Sequence, residues 1–587
     1  MIVPMKKASI LFETGNAEAS VKYLRKLGVL QVEHQNPPEG RDIPVLQEKV
    51  AIINFSFDVF NQVTGVERKS QPQVKINGDW ESITNHIIDL SKRREQLESS
   101  SRNIIGQINE WERWGDVDIT QIQHLSQNGI YLNLYQVPIK EIGSFPDGVI
   151  VKTIFTAGDI AHCVTISRTQ FECALKEILP PMQSLSFLKK QLADNSRAIE
   201  TTNSEIIESS CFYEDLLGIK RKLEKEIEFQ QVINGMGKEG SISYVTGYIP
   251  YDLEENLIVE ARNRKWGISI TDPSDEDTVP TLLRNPRWVN LINPMLKLLG
   301  LTPGYHEIDV SMLFLIFFSI FFGILIGDAG YGFVYILITV LITLWLYKKM
   351  KLNTEMKTII SLFYLLGSSA IIWGVLTGTF FGQGWLQPLV PQLNDAAFMT
   401  TFCFFLGALH LSIAHSWRAF LKFPSLTALA DVGYICLLWA SFFLANTLIL
   451  GDAFPPGAIW LFAIGIVLVI LFTNPQHNVL RGIGEGLGTM ALSFMNNITD
   501  VISYIRLFAV SMAGLAIAEI INYLAFGFGS GVIALVAGVV ILIFGHSLNL
   551  TLGLMSVLVH GVRLNVLEFS GHANVTWSGS TFEPLKE

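Results

Sequence analysis

Cysteine is scarce: the 587 residues hold five, Cys163, Cys173, Cys211, Cys403 and Cys436, with no CxxC spacing. Neither a disulfide framework nor a thiolate metal site is expected. The net charge of -10 comes without a basic block or interleaved aromatic and basic residues, so no nucleic-acid partner is expected. Nucleotide chemistry also lacks its motif. Gly235-Met236-Gly237-Lys238-Glu239 has neither the first glycine nor the hydroxyl that a phosphate-binding loop needs, and HExxH and GxSxG are absent. No catalytic constellation, cofactor or metal follows from these residues. The N-terminal MIVPMKKASILF has no long apolar core followed by small residues, so it does not read as a signal peptide. The first half is therefore expected in the cytoplasm.

What the sequence does have is apolar length, all in its second half. Hydrophobic runs lie near 311–327, 329–347, 358–377, 398–417, 429–450, 457–473, 484–526 and 532–568. A bilayer core needs roughly 20 apolar residues per helix, so these predict eight spans, the first two separated only by Gly327-Asp328-Ala329-Gly330. Lys348, Lys349, Lys351, Lys357, Arg418, Lys422 and Arg481 fall in alternate loops. The loops at 378–397, 451–456 and 527–531 have no Lys or Arg. Both termini on the cytoplasmic side satisfy the positive-inside rule at every loop.

The first half reads as strand, helix (Ala17 to Leu27) and strand, followed by two stretches with helical 3-4 repeats. The first repeat runs through Trp80, Ile83, Ile87, Leu90, Leu97, Ile104, Ile108 and Trp111, and the second through Leu185, Leu188, Leu192, Ile199, Ile206, Tyr213, Leu216 and Leu223. Coiled-coil arms at about 43–115 and 170–235 thus flank a strand-rich lobe at about 116–168. Each repeat alone could be an ordinary amphipathic helix; two around one small lobe favour an antiparallel hairpin. A Pro-rich linker, Pro273 to Pro303, separates a cytoplasmic domain (1–305) from a transmembrane one (306–587). The expected class is mostly α: an N-terminal α/β domain with the hairpin, then eight membrane helices, the last two long and tilted.

Charge inside the apolar runs is the functional signal. The run from 484 to 526 carries Glu485, Asp500, Arg506 and Glu519, and at 100° per residue Glu485, Asn496, Thr499, Ser503 and Arg506 share one arc. A helix that long would reach about 65 Å, so it must tilt, break or protrude. In the last run Asn549, Ser556, His560 and Arg563 share one face, with His546 at its edge. An arginine at mid-bilayer costs about 2.5 to 3.5 kcal/mol and therefore needs a partner, protein or water. An internal salt bridge is the plain alternative, and a lone histidine such as His560 is ordinarily structural; stripes several turns long favour a hydrated path.

Three segments carry a family resemblance: Ser503-Tyr504-Ile505-Arg506-Leu507, His560 to Phe569, and Phe322 to Gly332. They resemble the signatures of the membrane stator subunit of rotary V/A-type ATPases, called a or I. Gly247-Tyr248-Ile249-Pro250 and Glu307-Ile308-Asp309 are similar to that family's linker. The resemblance implies ion half-channels beside a rotating proteolipid ring (c or K subunits), with H⁺ or Na⁺ movement coupled to ATP hydrolysis or synthesis elsewhere in the complex. It further implies peripheral stalk partners of the E/G type, a central-stalk cap of the d/C type, membrane lipids, and a prokaryotic cell membrane. Arg506 and Arg563 become the ring-facing arginines, with His560, Glu568 and Ser503 in the same motifs. Gly514 and Gly553 stand where some relatives carry histidine and glutamate, which leaves Asp500, Glu485 and Glu519 as candidate polar groups. A self-contained secondary transporter and a non-conducting tether are the rival readings.

Overall fold

The computed structural model describes residues 1–64, 75–76, 79–116, 119–171, 175–179, 183–349, 352–473, 479–527 and 531–586. They fall into two compact units: Met1–Ile10, Val29–Gln31 and Gly247–Pro584 form the first, and Leu11–Gly28, Val32–Thr246 and Leu585–Glu587 the second.

In chain order the elements begin with β1 (Met5–Glu13), α1 (Ala17–Leu27), β2 (Gln31–Glu33), α2 (Asp42–Thr64), α3 (Trp80–Trp111) and α4 (Ile119–Gln127). Next come β3 (Tyr131–Pro138), β4 (Ile150–Ala157), β5 (Ile160–Ser167), β6 (Lys176–Ile178), α5 (Leu185–Ser209) and α6 (Tyr213–Gly235). Then follow β7 (Gly237–Glu239), β8 (Ile242–Pro250), α7 (Glu254–Arg264), β9 (Gly267–Thr271) and α8 (Asn293–Leu299).

Within the second unit the first repeat forms α3 and the second forms α5 and the first half of α6; α3 and α5 begin at capped ends. The Asp79 carboxylate accepts from the Glu81 amide at 3.0 Å, and the Ser184 hydroxyl from the Phe187 amide at 3.4 Å. Their apolar stripes meet. Ile104 and Ile108 bury against Leu188, while Ile87 and Leu90 join Ile206, Leu216 and Phe60 in a second cluster. Between the repeats in sequence, β4-β5-β3-β6 form one antiparallel sheet, with Leu134 opposite Val164 on one side and Ile178 on the other. In the first unit the segments of β2, β8, β1 and β9 pair in that order, with α7 connecting β8 to β9.

The rest of the first unit is helical: α9 (Ser311–Ile326), α10 (Ala329–Lys349), α11 (Thr354–Thr377), α12 (Ala396–Lys422), α13 (Ala428–Leu450), α14 (Pro456–Phe472), α15 (Val479–Ser503), α16 (Ile505–Phe526), α17 (Val532–Ser556) and α18 (Ser570–Ala573). Among the described residues six stretches are long and apolar enough to cross a bilayer: α10, α11, α12, α13, Leu492–Phe526 and Val532–Ala573. Helices α9 and α14 are apolar but shorter, at 16 and 17 residues. Helix α9 runs through the core, where Phe314, Phe318, Phe321 and Phe322 are almost fully buried.

Helix α9 stops at Gly327, whose φ of 64° is a left-handed turn that glycine adopts without steric penalty. Asp328 follows as a clamp: Oδ1 accepts from the amides of Gly330 (2.7 Å), Tyr331 (3.1 Å) and Phe381 (2.9 Å), and Oδ2 from Gly382 (2.8 Å). The Glu307-Ile308-Asp309 segment is a staple too. Glu307 accepts from the amides of Gly304 (2.6 Å) and Thr576 (2.8 Å), and Asp309 from Ser311 (3.0 Å) at the start of α9. Burial pushes the Glu307 carboxyl up, but the Thr576 hydroxyl and the Gly304 and Thr576 amides outweigh it and hold it below its ordinary value.

Candidate functional site

The expected long helix breaks at Tyr504, between α15 and α16. Tyr504 is fully buried, its hydroxyl 2.8 Å from His410 Nδ1. Its ring lies where a Cβ on Gly407 would come within 2.7 Å, so glycine on α12 makes the room. The break puts Arg506 in the first turn of α16. Its Nε donates to the Ser503 carbonyl at 2.9 Å, turning the guanidinium back along α15.

The partner comes from the end of α17. Two π-helical turns, Val557–Gly561 and Leu564–Phe569, interrupt its regular winding. In an α-helix residues five apart fall about 140° from each other, whereas a wider π turn brings them onto one face. Arg563 and Glu568 are such a pair, with Nε 3.6 Å from Oε1. The same oxygen lies 2.5 Å from Arg506 Nη2. Glu568 is buried, Arg506 is about a fifth exposed at 21%, and Arg563 is more than half exposed at 54%. Two cations therefore converge on one buried carboxylate. Among the described residues, Glu568 Oε2 and His560 Nδ1 are buried without a hydrogen-bond partner.

Asp500, on α15, joins a different cluster through His572, which lies four residues beyond Glu568. His572 Nε2 is 3.1 Å from Asp500 Oδ2, and His572 Nδ1 is 2.9 Å from His415 Nε2. His415 Nδ1 is in turn 3.2 Å from Asp431 Oδ1. Asp431 also meets Lys422 Nζ at 2.6 Å and Arg418 Nε at 3.5 Å.

A third group of polar side chains sits where α10, α16 and α17 meet. Tyr331 Oη is 2.7 Å from His546 Nδ1 and accepts from Asn549 Nδ2 at 2.9 Å. His546 Nε2 is 3.1 Å from Asn522 Oδ1, and Asn549 Nδ2 also donates to the Gly514 carbonyl at 2.8 Å. Beside it opens a cavity of about 310 Å³ whose lining includes Asp328, Tyr331, Ser511 and Glu519. Asp328 itself is committed to the backbone clamp.

The sequence-predicted residues thus divide. Arg506, Arg563, Glu568 and the Ser503 carbonyl meet directly, His560 lies in the first π turn nearby, Asp500 belongs to the histidine cluster, and Glu519 lines the cavity with its side chain exposed. Glu485 falls on α15, with its side chain outside the described residues. Sequence reasoning passed over His415, Asp431, His572, Tyr331 and Asn522. The available signal was Asp431, an uncompensated acid in an apolar run, with His415, Arg418 and Lys422 on the run before it. Among the described residues no group of three or more His, Cys, Asp or Glu side chains is set to hold a metal ion.

No protein-family model matches the chain. Full-length relatives do. It is 30% identical over 636 residues to V-type ATP synthase subunit I 1 of Treponema pallidum, covering 100% of both chains. It is 28% identical over 613 residues to V-type ATP synthase subunit I of Borreliella burgdorferi, again over 100% of both. An A-type ATP synthase subunit I of Methanocaldococcus jannaschii is 26% identical over 455 residues, 69% of this chain and 64% of that one. With end-to-end similarity to such relatives and a helical half rich in membrane-length apolar helices, the chain belongs to the subunit I family of V/A-type ATP synthases.

Proposed function

We propose that this subunit is the non-rotating, non-catalytic membrane part of the complex, forming two offset ion half-channels against a rotating ring of small proteolipid subunits, each with a mid-membrane carboxylate. Movement of H⁺ or Na⁺ through them is coupled to ATP hydrolysis or synthesis by other subunits. One observation carries the reading: Arg506 and Arg563 share the single buried carboxylate of Glu568. Two cations on one anion leave a surplus positive charge among apolar helices. Such a charge stabilises an arriving carboxylate in its ionised form, so that it sheds its ion, and it blocks direct leakage between the half-channels. The cavity beside Tyr331 and Glu519 and the cluster from Asp500 to Asp431 supply polar ground for the two half-channels, with His560 beside the arginines.

The remaining assignments follow from this reading. Helices α9 and α14 complete eight spans, their 16 and 17 residues matched by local thinning of the bilayer. Both termini face the cytoplasm of a prokaryotic cell. Residues 1–305 form the cytoplasmic domain, whose coiled-coil hairpin (arms about 43–115 and 170–235, lobe about 116–168) is held by E/G-type stalk subunits, with a d/C-type cap alongside. A self-contained secondary transporter would be built on an internal repeat with helix breaks in corresponding positions of two halves. No such repeat is visible in the sequence. Affinity purification from native membranes tests the proposal: proteolipid and stalk subunits should be recovered with this chain, and its recovery alone from membranes that contain them would contradict it.

A further inference from the structure

The buried cluster at the ends of α12, α13 and α18 has a proton count that constrains its role. Three hydrogen-bond contacts link four side chains in line: Asp431 to His415 (3.2 Å), His415 to His572 (2.9 Å), and His572 to Asp500 (3.1 Å). Each imidazole uses both of its nitrogens, one toward each neighbour. A neutral imidazole carries one N–H and an ionised carboxylate carries none. With both histidines neutral and both aspartates ionised, only two protons serve three links. One link must then be empty, with a lone pair facing a lone pair. Filling all three takes one further proton. His415, His572 and Asp431 are buried, so water does not readily stand in for it.

With that third proton present, two fillings keep both imidazoles neutral. In one, Asp431 carries the proton, both imidazoles hold theirs on the nitrogen pointing toward Asp500, and Asp500 is ionised. In the other, each of the three protons has moved across its own hydrogen bond toward Asp500, both imidazoles have changed tautomer, and Asp500 is protonated. Nothing else is consumed or released. The shift carries one positive charge from the Asp431 end to the Asp500 end. No cation other than H⁺ can be passed this way through direct side-chain contacts.

The ends of the row suit an entry and a delivery. Asp431 is approached by Lys422 and Arg418, both on α12, whose side chains are 37% and 23% exposed. Arg418 Nη1 also donates to the His572 carbonyl at 3.0 Å, fixing the backbone of α18 beside the imidazoles. Tyr434 stacks on the His415 ring with centroids 5.1 Å apart, which holds its plane. Asp500, 27% exposed, lies six residues before Arg506, and His572 four residues after Glu568. The delivery end is therefore one to two turns from the arginine pair on both helices.

We propose that Asp431, His415, His572 and Asp500 form a proton relay between the Lys422 side of the membrane half and the Arg506–Glu568 pair, and that the ion carried by this subunit is H⁺. The inference rests on the half-channel reading above. His415 and His572 are positioning and proton-passing residues, distinct from the ring-facing arginines.

The test uses vesicles containing the whole complex. The intact complex should acidify the vesicle lumen with ATP at a rate independent of sodium; a requirement for sodium, or ATP-driven uptake of radioactive sodium, overturns the assignment of the ion. His572→Ala and His415→Ala, on different helices, should each lower proton uptake about a hundredfold or more, the scale of a lost proton-transfer group, with subunit content unchanged. Added imidazole should restore uptake, while pyrazole, similar in shape but a far weaker base, should not. Assembled variants that pump at the parental rate, or equal rescue by pyrazole, overturn the relay. If uptake survives these changes but is lost in Arg506→Lys, the relay fails and the half-channel reading stands; if Arg506→Lys also pumps normally, that reading fails first.

Discussion

Replacing Glu568 with glutamine removes one charge at almost constant volume. Arg506 Nη2 lies 2.5 Å from the carboxylate and Arg563 Nε 3.6 Å. Unit charges about 4 Å apart interact by about 4 kcal/mol at an effective dielectric of about 20, and exposure screens the Arg563 contact further. Arg506, largely enclosed, keeps its bond to the Ser503 carbonyl but loses its charged partner. If about 2 to 3 kcal/mol of the lost attraction passes to a ring carboxylate that takes the place of Glu568, release of that carboxylate slows by about thirty- to a hundredfold, at about 1.4 kcal/mol per factor of ten. ATP-driven ion uptake by vesicles with the reconstituted complex should fall by that order while all subunits remain present. Glu568→Asp, which keeps the charge, should be milder. Assembled Glu568→Gln complexes pumping at the parental rate would refute the claim that Glu568 balances the arginines.

Asp328→Asn should destabilise the helical unit by about 3 kcal/mol, because the amide NH₂ faces the Gly382 N–H and leaves a buried donor unsatisfied; thermal unfolding in detergent reads this, with a lowered transition expected and an unchanged one contradicting the clamp. In the extramembrane part, the Lys7 ammonium, 2.6 Å away, together with the Ser274 amide, holds the Asp277 carboxyl down to about 2, against an ordinary 3.8. A lowered native pKa adds stability that is complete above the ordinary value and is lost as pH falls from there toward about 2. The stability difference between the parent and Lys7→Met should therefore be constant above about pH 4 and close below it; a difference that persists unchanged to pH 2 would contradict the pairing.

Much of this was legible because charge is rare in apolar helices. Arg506, Arg563 and Asp500 stand out for their desolvation cost alone, and the repeats containing Ile87, Leu90, Ile206 and Leu216 announced buried stripes. The pairing of Glu568 with Arg506 was less legible, because helical periodicity assumes one winding, and one π turn before Glu568 and a second containing it change the register. The break at Tyr504 was open among three outcomes, since it depends on His410 and Gly407 far away in sequence. His415, Asp431 and His572 come from three separate helices, so no single stripe joins them. Asp328, singled out within a motif, proved to be spent on backbone amides.

The most direct test of the central claim is ATP-driven ion uptake by vesicles carrying assembled Arg506→Lys complexes. A salt-bridge clasp would accept lysine, which keeps the charge and can still reach a carboxylate. A residue that must displace an ion from a passing carboxylate depends on a guanidinium that stays charged when desolvated and offers two donors at once. The account predicts complexes with the full subunit complement and no coupled uptake; assembled Arg506→Lys complexes that pump near the parental rate would contradict it.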